Sequence, residues 1–187
     1  MRIVGGQNKG TKLHTPKSHK TRPTSDKVRE SLFNRLQHGI DDFDLEGARV
    51  LDLFAGTGAL GLEALSRGAA FAIFIEEAVE ARGLIRRNIE LLERTGQTKV
   101  FRRNAVNLGP LKRFEPFNLV FLDPPYGKGL GEAALTSAFK GGWLADDALI
   151  ILEEAKSAKI NWPEACCPLS THTYGDTTLH IAKTTQE

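Results

Sequence analysis

The sequence predicts an α/β fold: a mostly parallel seven-stranded sheet flanked by helices and closed by a C-terminal antiparallel hairpin. Three observations predict it. Short β-branched and aliphatic runs alternate with helical periodicity from about residue 48 onward. A glycine-rich turn, Gly56-Thr57-Gly58, follows the first run and opens a helix. Near the C-terminus the alternation gives way to two runs separated by Gly175-Asp176, a two-residue hairpin signal. Repeated strand–helix units imply a parallel sheet covered on both faces.

Each element has its own local reason. Residues 49–54 (RVLDLF) read as the first strand, and 59–66 as a helix closed by Arg67-Gly68. Residues 71–75 form a second strand. Leu84, Ile85, Ile89 and Leu92 recur at helical spacing within 79–94. Residues 99–102 and 118–122 are the third and fourth strands, with a helix at 131–139 and a fifth strand at 148–152. The hairpin joins 169–174 to 177–182. Ahead of this block, 2–4 and 11–14 bracket a Gly-rich turn and predict a small hairpin. After the loop at 15–22, Thr24 or Ser25 caps a helix at about 26–37, whose apolar stripe is Val28, Leu32 and Leu36. The expected organisation is a basic N-terminal extension over 1–40 and a main domain over 41–187.

With 187 residues, 41% hydrophobic and 26% charged, the chain can bury a full core and is unlike a disordered protein. No apolar run reaches the ~18–20 residues that span a bilayer, and Met1 to Gly6 lack a signal-peptide pattern. A cytoplasmic location without membrane association is expected. The adjacent Cys166 and Cys167 read as reduced packing residues, and the scattered histidines lack metal-ligand spacing, so no metal is expected. A monomer is expected. The net charge of +2 hides an asymmetry: residues 1–40 hold nine basic residues against two acidic ones. A basic front end on a slightly acidic body suits a polyanionic partner, nucleic acid first, although charge alone also fits a solvated tail.

Gly56-Thr57-Gly58-Ala59-Leu60-Gly61 has the form of a nucleotide-binding loop between strand and helix. Glu76, 20 residues after Gly56, stands where a carboxylate accepts from ribose hydroxyls. These features fit NAD and S-adenosylmethionine equally. Asp52, inside the first strand, separates them. A buried unpaired carboxylate costs several kcal/mol, and here it suits a loop tether or a cationic ligand better than a pyrophosphate. Asn104-Ala105, after the third strand, suits an adenine edge and equally a helix cap.

Asp123-Pro124-Pro125-Tyr126 ends the fourth strand, where ligands gather in an open parallel sheet. An exocyclic amine on a nucleobase is a poor nucleophile because its lone pair is delocalised into the ring. Asp123 can accept one N–H and the Pro124 carbonyl, held by proline's fixed φ, the other. Tyr126 offers a stacking face. The competing reading is a plain turn.

The segment from Asp52 to Gly68, with Glu76, Asn104-Ala105 and Asp123 to Tyr126, resembles the class I S-adenosylmethionine-dependent N-methyltransferases, which have a Rossmann-like fold. The front end narrows this. Arg2-Ile-Val-Gly-Gly-Gln7, Lys9-Gly-Thr-Lys-Leu13 and Arg22-Pro-Thr-Ser-Asp-Lys-Val-Arg-Glu-Ser-Leu-Phe-Asn34 resemble the bacterial 16S rRNA guanine-N2 methyltransferases of the RsmD type. The resemblance implies methyl transfer from S-adenosylmethionine to N2 of one guanine, with 16S rRNA or the assembling small ribosomal subunit as partner. It implies a cofactor pocket from Asp52, Phe54, Gly56, Thr57, Gly58 and Gly61, completed by Glu76, Asn104, Ala105 and Asp123. Asp123, Pro124, Pro125 and Tyr126 surround the target amine. It implies that Arg2, Lys9, Lys12, Lys17, Lys20 and Tyr126 face the RNA, and that Arg22 and Thr24 lie near the cofactor's methionine end or the RNA. Ala78 departs from relatives that often carry a polar residue there. Three other readings remain: an adenine-N6 or other planar-amine methyltransferase, an NAD-dependent oxidoreductase, and a non-catalytic RNA-binding factor.

Overall fold

The computed structural model describes residues 1–16 and 25–185. Seven strands form one sheet: β1 Arg49–Asp52, β2 Phe71–Ile75, β3 Thr98–Phe101, β4 Phe117–Leu122, β5 Leu144–Ala155, β6 Cys166–Tyr174 and β7 Thr177–Thr184. Their order is β3-β2-β1-β4-β5-β7-β6. The first five neighbours run parallel, and β7 pairs antiparallel with both β5 and β6. The order reverses between β1 and β4, so the crevice where ligands bind in such sheets opens at their C-terminal ends.

Among the described residues, four α-helices cover the sheet: α1 Asp26–His38, α2 Ala59–Ser66, α3 Val79–Leu91 and α4 Leu130–Lys140. Alternation along each strand sends side chains into two cores. On one face Val50, Phe121, Ile151 and Ile181 meet Leu32 and Phe33 of α1, Leu62 of α2 and Ile85 of α3. On the other, Leu51, Val120, Leu122 and Leu152 meet Leu135 of α4 and Trp143. The strand at 148–152 extends to 144–155 because Leu144 pairs with Phe117 across an irregularity and the far end pairs with β7. Cys166 is buried and Cys167 exposed, as alternation requires, and both thiols are free.

The described N-terminal residues do not build a core of their own. Arg2 and Lys12 form an isolated antiparallel bridge, flanked by bonds from the Ile3 N–H to the Thr11 carbonyl (3.0 Å) and from the Gly10 N–H to the Ile3 carbonyl (2.8 Å). Ile3 and Leu13 enter the α1–α3 core. Ser25 caps α1 by accepting from the Val28 N–H at 3.2 Å. Arg29, one of the nine basic residues, is fully buried and is neither a phosphate ligand nor a solvated surface charge. It donates to Asp26 (2.9 Å) and to the Arg2 carbonyl, and it pairs with Glu63 of α2 (3.6 Å). Glu63, also fully buried, accepts from the Val4 N–H and from Arg67, both at 2.8 Å. The stripe on α1 is therefore Arg29, Leu32, Phe33 and Leu36, with Val28 only half-buried.

Candidate active site

Asp52, Asp123 and Glu153 stand at the C-terminal ends of the adjacent strands β1, β4 and β5. Asp52 lies opposite Phe121, and Asp123 two residues beyond Phe121 projects to the same face. Leu122 lies opposite Leu152, which sets Glu153 beside Asp123. Asp52 is buried and accepts from the Gly61 N–H at 3.2 Å. Burial, opposed in part by that bond and reinforced by Glu76, pushes its carboxyl up to about 7. Asp123 is held well above the ordinary carboxylate range by burial, and then by Glu153, Asp52 and Glu154. Acidic groups crowd the site and tend to hold their protons there, so a bound positive charge would favour their ionised forms.

The glycine loop is shaped as its spacing requires. Gly58 takes φ +78° at the start of α2, a backbone that side chains rarely adopt. Gly61 fits because any Cβ there would lie 2.5 Å from the Phe74 ring. Glu76 ties the loop to the end of β2, accepting from the Gly56 N–H (3.0 Å) and the Ala78 N–H (2.8 Å). At position 78 this chain offers Glu76 only a backbone N–H. Asn104 caps the Ala105–Asn107 turn, its oxygen accepting from the Val106 N–H at 2.9 Å. Phe54, Glu76, Glu77 and Ala105 line a cleft of about 60 Å³. A larger depression of about 380 Å³ lies between α4 and the 106–110 segment, lined by none of Asp123 to Tyr126.

In that loop, Pro124 is buried and Pro125 exposed. The Tyr126 ring is 39% exposed, and its hydroxyl donates to Glu153 at 2.6 Å with Thr177 Oγ1 at 3.2 Å. Burial and then Glu153 raise the tyrosine's pKa. The Gly127 N–H donates to Glu154. Neither glutamate was singled out by sequence reasoning, although two acids ending the apolar run 148–152 are a usable signal.

The N-terminal segment meets the glycine loop from behind. Asn88 of α3, fully buried, accepts from the His14 N–H (2.7 Å) and donates to the His14 carbonyl (3.1 Å) and the Thr57 carbonyl (2.9 Å). Thr57 also reaches Met1 Sδ at 3.4 Å. Arg2 is exposed and pairs with Asp26 at 3.5 Å; Lys9 and Lys12 are exposed. Lys17, Lys20, Arg22 and Thr24 lie outside the described residues. Among the described residues, no group of three or more His, Cys, Asp or Glu is arranged to hold a metal ion, and no helix is long and apolar enough to cross a membrane.

A family model described as conserved hypothetical protein 95, the RsmD family, matches residues 1–183. The chain belongs to the RsmD family of methyltransferases. It is 46% identical over 153 residues to Ribosomal RNA small subunit methyltransferase D of Escherichia coli K12, covering 82% of this chain and 74% of that one. Bacillus subtilis YlbH is 37% identical over 188 residues, covering 98% of both chains. The solved structure of Escherichia coli yhhF aligns with a TM-score of 0.84 at 36% identity, over 99% of this chain and 98% of that one. The RsmD-family core is the Rossmann-like sheet described above, and the N-terminal bridge and α1 fall inside the matched residues.

Proposed function

We propose that this RsmD-family protein transfers a methyl group from S-adenosylmethionine to the exocyclic N2 amine of a guanine in small-subunit rRNA. The observation that carries the reading is the pairing of Asp52 and Asp123 on one face of β1 and β4, beside the glycine loop. Two carboxyls driven upward by burial and by neighbouring acids are suited to a ligand that brings positive charge. The open space around Gly56, where a Cβ would meet nothing closer than the Phe54 carbonyl at 4.0 Å, suits close approach of such a ligand.

S-adenosylmethionine, when bound, supplies an electrophilic methyl group on a positively charged sulfur. Phe54, Gly56, Thr57, Gly58 and Gly61 hold it through backbone and ring contacts. Glu76 shares its carboxylate between the loop amides and the ribose hydroxyls. Asn104, whose oxygen caps its own turn, offers its amide nitrogen to the adenine edge near Ala105. Asp123, once ionised, accepts one N–H of the target amine, and the Pro124 carbonyl accepts the other. That geometry localises the lone pair on nitrogen. Pro125 stiffens the turn, and Tyr126 stacks on the base. Positioning supplies most of the rate enhancement. The departing amine proton passes to Asp123 or to water.

The RNA-facing role belongs to residues 1–40, with Arg2, Lys9, Lys12, Lys17 and Lys20 on phosphates, and Arg22 and Thr24 serving the RNA or the cofactor's methionine end. Taking guanine out of its stack costs a few kcal/mol, returned by Tyr126 and the pocket. Asp123→Ala tests the assignment. Transfer of labelled methyl to small subunits should disappear while RNA affinity stays within about twofold, since phosphate interactions at the rim dominate affinity. Full activity in that variant would remove Asp123 from the chemistry. Calorimetry with S-adenosylmethionine and NAD separates the cofactor classes; tight NAD binding alone would reverse the reading.

A further inference from the structure

We propose that Glu153 and Glu154 are positioning residues that grip the Asp123–Gly127 turn from the two faces of the sheet. Consecutive strand residues project to opposite faces, and these two use that alternation on one loop. Glu153, on the Phe121–Ile151 side, accepts from the Tyr126 hydroxyl at 2.6 Å. Glu154, on the Leu122–Leu152 side, accepts from the Gly127 N–H and also from the Ala155 N–H at 2.8 Å. Both are buried, 5% exposed each.

The arrangement is costly for a loop that only turns. Burying two carboxylates is unfavourable without strong donors, and both lie close enough to Asp123 to raise its pKa. A turn alone could be closed by backbone bonds or by a serine. What two acids add is fixed geometry on either side of the Pro-Pro step. The Tyr126 ring is anchored by its hydroxyl while remaining open to a base, and the Gly127 backbone is tied so that the Pro124 carbonyl keeps its aim. Thr177 of β7 supports the same hydroxyl at 3.2 Å, which links the hairpin to the loop.

This inference rests on the methyl-transfer reading. It is tested by kcat, KM for RNA and cofactor Kd for Glu153→Ala, Glu153→Gln, Tyr126→Phe, the Glu153→Ala/Tyr126→Phe double variant, Glu154→Ala and Glu154→Gln. Losing a hydrogen bond to a charged group should lower kcat roughly tenfold in Glu153→Ala and in Tyr126→Phe. The double variant should be no slower than the slower single. Both glutamine variants, which keep an oxygen acceptor, should recover most of the loss seen with alanine. Cofactor Kd should move less than about twofold, against a change of that size or more for general unfolding. Tyr126→Phe keeps the test alive if Glu153→Ala fails to fold, because the ring is partly exposed and its packing is preserved. Independent, multiplicative losses, unchanged kcat in Tyr126→Phe, or glutamine variants as slow as alanine would overturn the clamp. Wild-type protein in the same assay separates the two claims: no transfer by wild type refutes the methyl-transfer reading, whereas active wild type with indifferent variants refutes only the clamp.

Discussion

Asparagine at position 52 should make the protein more stable with rising pH and poorer at its reaction. The Asp52 carboxyl titrates at about 7 in the fold rather than at its ordinary 3.8, burial being the main cause. Below pH 3.8 both folded and unfolded chains hold the proton, and the position costs nothing by titration. Between 3.8 and about 7 the unfolded chain ionises first, so folding stability falls as pH rises; above about 7 the cost is constant. At about 1.4 kcal/mol per pH unit, the full cost is on the order of 4 kcal/mol. Asp52→Asn keeps an oxygen for the Gly61 N–H and does not titrate. Its added amide protons carry a cost that is the same at every pH and cancels in the comparison. The unfolding free energy of the variant minus that of wild type, from urea titrations, should therefore rise by on the order of 4 kcal/mol from about pH 4 to about pH 8. Relief of Asp123 acts in the same direction. Calorimetry at pH 8 should show weaker S-adenosylmethionine binding. A stability difference that stays flat across this range would refute the reasoning.

Other expectations follow from the same architecture. Asn88→Ala leaves the His14 and Thr57 backbone groups without their buried partner and should cost about 3 kcal/mol in urea unfolding. It should also weaken cofactor binding measured without RNA. Gly61→Ala drives a methyl into the Phe74 ring and should lower stability by about 1–3 kcal/mol, read as a lower Tm. Methyl transfer should rise with pH through an apparent pKa above the usual carboxylate range, because ionised Asp123 accepts an N–H more strongly than the acid does and is free to take the proton; a rate flat from about pH 5 to 8 would contradict this. Charge reversal at Lys9 or Lys12 should flatten the salt dependence of RNA binding, the slope falling by roughly 0.7–0.9 for each phosphate left unneutralised.

Most of the sheet was legible because its strands are uninterrupted apolar runs and its helices carry 3.6-residue periodicity. Residues 59–66 and 71–75 coincide with α2 and β2. The ends of β5 and β7 were not legible, since pairing with a neighbour, rather than local preference, carries them through polar residues. At the site, Asp52, the glycines and Asp123 stand out because their types are wrong for plain strand ends. Asn104 was readable both as a cap and as a binding residue, and its capping bond is present. Residues whose job is to hold other residues were harder to see. Arg29 looks like one more charge in a basic segment, and only the approach of Glu63, 34 positions away in sequence, makes it a buried ion-pair member. Asn88 interrupts the apolar stripe of α3 between Ile85 and Ile89, which is the one signal of its role. Two acids ending the run 148–152 mark Glu153 and Glu154 as unusual, but their partners depend on where the Tyr126 loop folds back, a tertiary fact.

The motif around Asp123 fits a planar amine, while guanine N2 rests on kinship, so the decisive measurement is the identity of the modified nucleoside. Small ribosomal subunits lacking the modification, incubated with purified protein and methyl-labelled S-adenosylmethionine, are digested and their nucleosides analysed by mass spectrometry. Label is expected in N2-methylguanosine at one site, and is expected to be lost in Asp123→Ala. Label in N6-methyladenosine, or none with active cofactor-binding protein, would contradict it.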